Sequence, residues 1–294
     1  MQVLQGSLVA LVTPMLPNGD VDYSCLENLI DWHIGQGTDG IVSVGTTGES
    51  ATLNVKEHLE VIAFTVKHTN KRIPVIAGSG ANSTREAIDL TKESKRLGAD
   101  FALIVTPYYN KPNQNGLIAH FSAIADAVDI DQILYNVPSR TACDLLPSSV
   151  SVLSKHENII GIKEASGDMD QAQQILKDCA SHIQVISGDD ALTLPMLLAG
   201  AVGTISVLGN ALPIPLKEMF HYVETGNLKK AYALHYQLLD VINLIFEEGN
   251  PVGIKALMES MDYCEGTVRL PLIKATPSLK ERLQRALETS IFTL

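Results

Sequence analysis

Short apolar runs recur along the chain, and each is followed by a longer stretch in which apolar residues return every three or four positions. The runs are SLVALVTP from Ser7, GIVSVG from Gly40, IPVIAG from Ile73, FALIVTP from Phe101, QILYNVP from Gln132, NIIGIKEAS from Asn158, QVISGDD from Gln184 and GTISVLGN from Gly203. Nearly continuous hydrophobicity with many β-branched residues is the pattern of parallel strands covered on both faces. A repeat of about thirty residues fits one strand plus one crossover helix. The stretches 22–36 and 54–69 have helical periodicity, with Asp22 and Asn54 as N-caps. Ser83 and Glu86 have capping-box spacing, Gly98 after Leu97 marks a helix stop, and Pro147 opens a helix in its first turn. From Leu228 onward the pattern predicts helices only, broken at Pro251, Pro271 and Pro277.

Eight strands alternating with helices, then a helical tail, predict an α/β chain built as a (β/α)8 TIM barrel. The expected division is a barrel carrying the active site over residues 1–226 and a C-terminal helical region over 227–294. A doubly wound sheet usually has fewer strands and a glycine-rich turn after the first. Here the first run ends in Val12-Thr13-Pro14, without G-x-G-x-x-G. The uncharged stretch 191–216 is long enough to raise a membrane question. Its Pro195, Gly200, Gly203, Gly209, Pro213 and Pro215 break a spanning helix, so it reads as helix, turn, buried strand and loop.

Composition narrows the partners. A chain of 294 residues, 46% hydrophobic and 19% charged, buries about three quarters of its unfolded surface. With 22 Lys and Arg against 33 Asp and Glu, the net charge of −11 repels phosphate backbones and anionic lipid. Nucleic acid and membrane are therefore not expected partners. Cys25, Cys143, Cys179 and Cys264 lie far apart with no C-x-x-C pair, which favours reduced thiols and a cytoplasmic protein over a zinc site. The start MQVLQGSLVALVTPM has no basic region before its apolar residues, so no signal peptide is expected.

Barrel chemistry sits at the C-terminal ends of the strands. After the second run, Gly45-Thr46-Thr47-Gly48-Glu49 is a tight turn with two readings: a cradle for a small carboxylate, or an ordinary turn whose threonine caps the next helix. Tyr108 and Tyr109 follow the fourth run, and Tyr135 ends the fifth. A phenol there relays protons or simply packs. Arg140 is either a bidentate carboxylate clamp or a solvated loop charge. In the sixth run, alternation puts Gly161 and Lys163 on one face and Ile160 and Ile162 on the other. If that face is the interior, burial favours the neutral amine, the nucleophile of Schiff-base chemistry, and Gly161 leaves it room. If not, Lys163 snorkels to solvent, and Glu164 toward the helices forms a salt bridge. Gly188 lets a ligand approach backbone, while Asp189 and Asp190 cap the following helix; with no His or third carboxylate near them, no metal is expected. A nucleophilic amine, phenols, a carboxylate cradle and a guanidinium together fit imine chemistry on a small oxo acid.

GTTGES from Gly45, VTPYYNKP from Val105, LYNVPSRT from Leu134, GIKEASG from Gly161 and SGDD from Ser187 resemble the dihydrodipicolinate synthase family, in order from Gly6 to the neighbourhood of Pro271. The resemblance implies a barrel with a helical tail. The implied reaction condenses pyruvate with L-aspartate 4-semialdehyde through a lysine Schiff base to 4-hydroxy-tetrahydrodipicolinate, on the way to diaminopimelate and lysine. By motif, Lys163 forms the imine, and Tyr135 passes protons in a relay with Thr46 and with Tyr109 of a neighbouring subunit. Thr47 holds the pyruvate carboxylate, Arg140 the semialdehyde carboxylate, and Gly188 and Ile205 give backbone contacts. The covalent imine makes a cofactor unnecessary, and the family's usual form is a homotetramer of two dimers. Ser50, Ala51, His58, Asn82, Glu86 and Tyr108 match the family's site for feedback by L-lysine, which implies partial inhibition. Val55 departs from that pattern, where regulated bacterial members often have His, and Gly253 departs where a second Pro is common. N-acetylneuraminate lyases, the alternative within the superfamily, usually have other residues in place of Ser139-Arg140 and often Ser-Thr in place of Thr46-Thr47. Outside enzymes, the competing reading is a barrel that binds small carboxylates as a regulator or scaffold.

Overall fold

Every apolar run contributes a strand, and every strand is parallel to both of its neighbours. The computed structural model describes residues 4–289, so the outer ends of the expected division, 1 and 294, lie outside the described residues. The chain runs β1 (Gly6–Ala10), α1 (Tyr23–Gly35), β2 (Gly40–Ser43), α2 (Val55–Thr69), β3 (Val75–Gly78), α3 (Thr84–Arg96), β4 (Phe101–Val105), α4 (Gln114–Ala127), β5 (Asp131–Asn136) and α5 (Pro138–Thr141). It continues with α6 (Pro147–Leu153), β6 (Ile159–Glu164), α7 (Met169–Cys179), β7 (Gln184–Ser187), α8 (Thr193–Ala199), β8 (Gly203–Ser206), α9 (Pro213–Glu224), α10 (Leu228–Glu247), α11 (Val252–Ser260) and α12 (Pro277–Thr289). β1 pairs with β2 and, from Gly6↔Gly203 to Val9↔Ser206, with β8. The sheet therefore closes into a barrel with no free edge. Closure packs backbone against backbone: a Cβ on Gly203 would stand 2.8 Å from Gly6 O.

The strands are shorter than the runs that predict them. The β1–β2 ladder ends at Ala10↔Val42, and the buried residues 11–14 continue as the loop toward α1. The caps fall where the side chains place them. Asp22 accepts from Cys25 N at 2.9 Å, and Asn54 and Glu57 form a full capping box. At α3 only half of the expected box forms, with Ser83 accepting from Glu86 N at 3.5 Å.

Leu8, Val42, Ile76, Phe101, Leu103, Ile133, Ile186 and Ile205 fill the barrel interior. Each such side chain contributes about 1.5–3 kcal/mol on full burial, so the interior is a packed core below its mouth. A second cluster lies between β4–β7 and the helices α3, α4, α6 and α7. A third is shared by α1, α2 and the tail: Ile30 and Ile62 belong to it together with Leu238, Ile254, Leu257 and Leu279. The tail is thus packed onto one side of the barrel rather than hung from it. The uncharged stretch 191–216 folds as α8, β8 and the first turn of α9. No helix among the described residues is long and apolar enough to cross a membrane.

Simple alternation fails along β6. Gln132 pairs with Ile159, but the next residue, Ile133, pairs with Gly161. Ile160 is therefore an extra residue, and it packs inside the barrel with Ile133 while Ile162 faces the helices. The shift leaves Tyr135 beside Lys163 at the C-terminal end of the ladder.

Candidate active site

A cavity of about 470 Å³ opens at the C-terminal mouth of the barrel, lined by Thr47, Tyr135, Arg140, Lys163 and Gly188 among the residues singled out from the sequence. The register Tyr135↔Lys163 sets the lysine against the phenol, with Nζ 4.4 Å from the ring centre. Lys163 is 5% exposed and forms no ion pair among the described residues. It does not snorkel. The glycine that gives it room is Gly188 at the end of β7, not Gly161 as expected. A Cβ on Gly188 would lie 2.8 Å from Lys163 Cε and 2.7 Å from Ala165 Cβ. One on Gly161 would instead meet Gln184 O at 3.1 Å, below the lysine.

The turn after β2 spends part of its backbone on itself. Gly48 N and Glu49 N are bonded to Gly45 O and Thr46 O, both at 3.1 Å, and Ser50 N also turns back to Gly45 O. These three N–H groups are used inside the turn, whereas Thr46 N and Thr47 N have no hydrogen-bond partner among the described residues, so a carboxylate cradle would rest on those two. No threonine caps the next element, a single 3-10 turn at Ser50–Thr52. What the turn presents is the buried Thr47 hydroxyl, whose Oγ1 accepts from Asn250 Nδ2 at 3.0 Å. A hydroxyl already accepting from one side has its own proton left to donate to an anion in the cavity.

Arg140, on the short helix α5, reaches the rim, where Nη2 donates to Asn250 O at 3.3 Å. Asn250 therefore touches both carboxylate candidates. It is 7% exposed, and its Oδ1 is buried without a partner among the described residues. In the sequence it carries no mark beyond the Asn-Pro dipeptide that breaks the helical tail. The tail also supplies Ile242, Asn243, Phe246 and Glu247 to the wall. The Glu247 carboxylate is held in bidentate contact by Arg282 on α12, at 2.7 and 2.5 Å, which lowers its pKa.

Two acidic expectations are corrected. Glu164 makes no salt bridge among the described residues: Oε1 accepts from Ser166 N at 2.6 Å and Oε2 from Asn136 Nδ2 at 3.1 Å. Burial raises its pKa against those hydrogen bonds. Neither aspartate caps α8, whose N-cap is Leu192: Asp189 accepts from Ala191 N at 2.9 Å in the turn before the helix, and Asp190 reaches across to the turn after β8. There it accepts from Ser206 Oγ at 2.5 Å, Val207 N at 3.0 Å and Leu208 N at 2.9 Å, and burial raises its pKa as well. Among the described residues no group of three or more His, Cys, Asp or Glu is arranged to hold a metal.

Three candidates do not line the cavity. Ile205 is buried in the barrel interior, Thr46 is half-buried in its turn, and Tyr109 stands 89% exposed with a positive φ of 76°. Tyr109 sits beside Tyr108, itself 43% exposed. Burial, with the Glu86 charge adding to it, raises the Tyr108 phenol pKa against a hydrogen bond from the Asn82 backbone, so Asn82, Glu86 and Tyr108 meet on one surface. Ser50 and Ala51 lie on the 3-10 turn, and His58 is buried on α2 with Nε2 at 2.8 Å from Gly78 O.

The chain matches the model of the dihydrodipicolinate synthetase family over residues 3–290. It is 52% identical over 270 residues to the 4-hydroxy-tetrahydrodipicolinate synthase of Geobacter sp. strain M21, covering 92% of this chain and 93% of that one. It superposes with a TM-score of 0.95 on the chloride-inhibited dihydrodipicolinate synthase of Acinetobacter baumannii complexed with pyruvate, at 46% identity over 97% of this chain and 98% of that one. The enzyme of Cyanidioschyzon merolae, solved with lysine bound, matches with a TM-score of 0.94 and 39% identity over 97% of each chain.

Proposed function

The chain belongs to the dihydrodipicolinate synthetase family, and on that premise we infer how its barrel mouth works as a 4-hydroxy-tetrahydrodipicolinate synthase. It is a lyase that condenses pyruvate with L-aspartate 4-semialdehyde. Lys163 Nζ, as the free amine, adds to the keto carbon of pyruvate, and loss of water leaves the imine. The methyl group then gives up a proton, and the resulting enamine carbon attacks the aldehyde carbon to form the new C–C bond. The substrate's own amine next adds to the imine carbon, closes the ring and expels Lys163 as the free amine. The iminium is the electron sink throughout, so the reading calls for no cofactor.

The observation that carries this reading is Lys163 held against Tyr135 with no ion-pair partner among the described residues, in a cavity whose wall offers two carboxylate partners. Thr47 takes the pyruvate carboxylate through its free hydroxyl proton. Arg140 takes the semialdehyde carboxylate, and Gly188 and Ile205 flank the pyruvate end. Tyr135 passes protons with Thr46 and with a Tyr109 from a second copy. The exposure of Tyr108 and Tyr109 on one surface supports a shared interface, in a homotetramer of two dimers. Asn82, Glu86 and Tyr108, with Ser50, Ala51 and His58, are read as a site for L-lysine, in keeping with the lysine-bound relative. Four free cysteines accord with a reducing, cytoplasmic setting.

A turnover assay decides between this reaction and a sugar-acid aldolase. Pyruvate with L-aspartate 4-semialdehyde is expected to give product, and pyruvate with N-acetylmannosamine none. Turnover of the sugar alone would overturn the assignment.

A further inference from the structure

Lys255, on α11, is fully buried and does not line the cavity. Its Nζ donates to Glu49 Oε1 at 2.5 Å and to Thr267 O at 2.8 Å. Glu49 is buried too, and its Oε2 accepts from Arg269 N at 3.0 Å. The Arg269 guanidinium goes on to Gly19 O, Thr52 O and the Glu57 carboxylate. One carboxylate at the end of the β2 turn is thereby gripped by two residues of the tail, more than two hundred positions away in sequence.

Glu49 has a further peculiarity. Its backbone is left-handed, with φ 57° and ψ 38°, a conformation that costs a non-glycine residue about 1–2 kcal/mol. Such a residue persists where its surroundings hold it. Its N–H closes the turn onto Thr46 O, so the backbone that carries Thr46 and Thr47 is completed by Glu49. Stability alone does not account for the charges. Burial opposes the Lys255 ammonium while Glu49 supports it, and an apolar pair of similar volume generally serves a core as well as a buried ion pair. What an ion pair adds is a defined position for both groups.

We propose that Glu49 and Lys255 are positioning residues for imine formation, a lock by which the tail holds the left-handed turn and keeps the Thr47 hydroxyl facing the cavity. The inference rests on the imine reading above and deepens it. Neither residue lines the cavity, so both act through Thr47.

Two variants test the lock. Glu49→Gln keeps the shape and loses the charge, and Glu49→Gln/Lys255→Met leaves neither charge stranded. Both are expected to fold, by circular dichroism, and to lose about 10- to 100-fold in kcat/KM for pyruvate, the scale of a misplacement near 1 Å. The borohydride-trapped adduct on Lys163 forms correspondingly more slowly. KM for the semialdehyde stays within about twofold, since the Arg140 clamp hangs on Asn250 O and not on this pair. A folded double variant with wild-type kcat and pyruvate KM overturns the lock. So does failure of both variants to fold, which makes the pair a requirement for folding instead. A wild-type chain that forms no adduct overturns the imine reading and the lock together, and the wild-type control separates that case from the others.

Discussion

Lys163 and Lys255 are both buried, at 5% and 0% exposure, and they differ in what their ammonium groups meet. Lys255 has a carboxylate and a carbonyl, and nothing in its surroundings is open. Lys163 has the face of Tyr135, no ion pair among the described residues, and a cavity in front of it. The Lys255 amine is tied to two acceptors and walled off, whereas the Lys163 amine has no such partner among the described residues and stands open to a carbonyl carbon entering the cavity. The comparison teaches that burial by itself does not make a lysine a nucleophile. The acidic groups at the ends of β6 and β7 are engaged elsewhere: Glu164 and Asp190 accept hydrogen bonds from hydroxyl, amide and backbone donors, and Asp189, which lines the same cavity, accepts from Ala191 N and Leu192 N.

The sharpest way to break the comparison is to remove the reactive member. Lys163→Ala is expected to abolish the pyruvate adduct and lower kcat by about 10³-fold or more, as loss of a covalent nucleophile does. Steady-state turnover measures it, and an alanine variant within tenfold of wild type would place the chemistry elsewhere. A smaller effect comes from the floor beneath the lysine. In Gly188→Ala the new methyl would press on Lys163 Cε at 2.8 Å and Ala165 Cβ at 2.7 Å. A loss of about 100-fold in kcat is expected, with a folded protein by circular dichroism. Wild-type turnover in that variant would show that the side chain has room the geometry denies it.

The smallest effect concerns a third buried base, His33, which has neither a counter-charge nor an open cavity. Its Nδ1 meets Thr38 Oγ1 at 3.1 Å, Nε2 has no partner among the described residues, and burial pushes its pKa down to about 3 from 6.5. Below pH 6.5 the unfolded chain takes up a proton that the folded chain refuses until about pH 3. Stability contributed by the neutral ring is therefore present above pH 6.5 and is lost as pH falls, by about 1.4 kcal/mol per pH unit. Denaturant titrations at pH 7 and pH 5 measure the slope, and His33→Gln is expected to flatten it. An unchanged slope in the variant would assign the acid sensitivity to other groups.

The barrel was legible because each buried parallel strand advertises itself as an apolar run, and the strand ends then direct attention to Tyr135, Arg140 and Lys163. Their phase was less secure. The extra residue at Ile160 changes which neighbours face inward without leaving any trace in composition, so alternation credited Gly161 with the space that Gly188 provides. Asn250, Lys255 and Arg269 were read only as parts of a helical tail. Their partners Thr47 and Glu49 lie about two hundred residues earlier, and a long-range polar contact has no periodicity to betray it. Asp190 illustrates the same limit at short range: beside a helix start its sequence says cap, yet the donors it accepts from lie beyond β8.

The difference between the two lysines is tested most directly by borohydride reduction in the presence of pyruvate, followed by intact mass and peptide mapping. A single reduced pyruvate adduct, located on Lys163 with Lys255 unmodified, is the predicted result. An unmodified chain of native circular dichroism, or an adduct on any lysine other than Lys163, would contradict it.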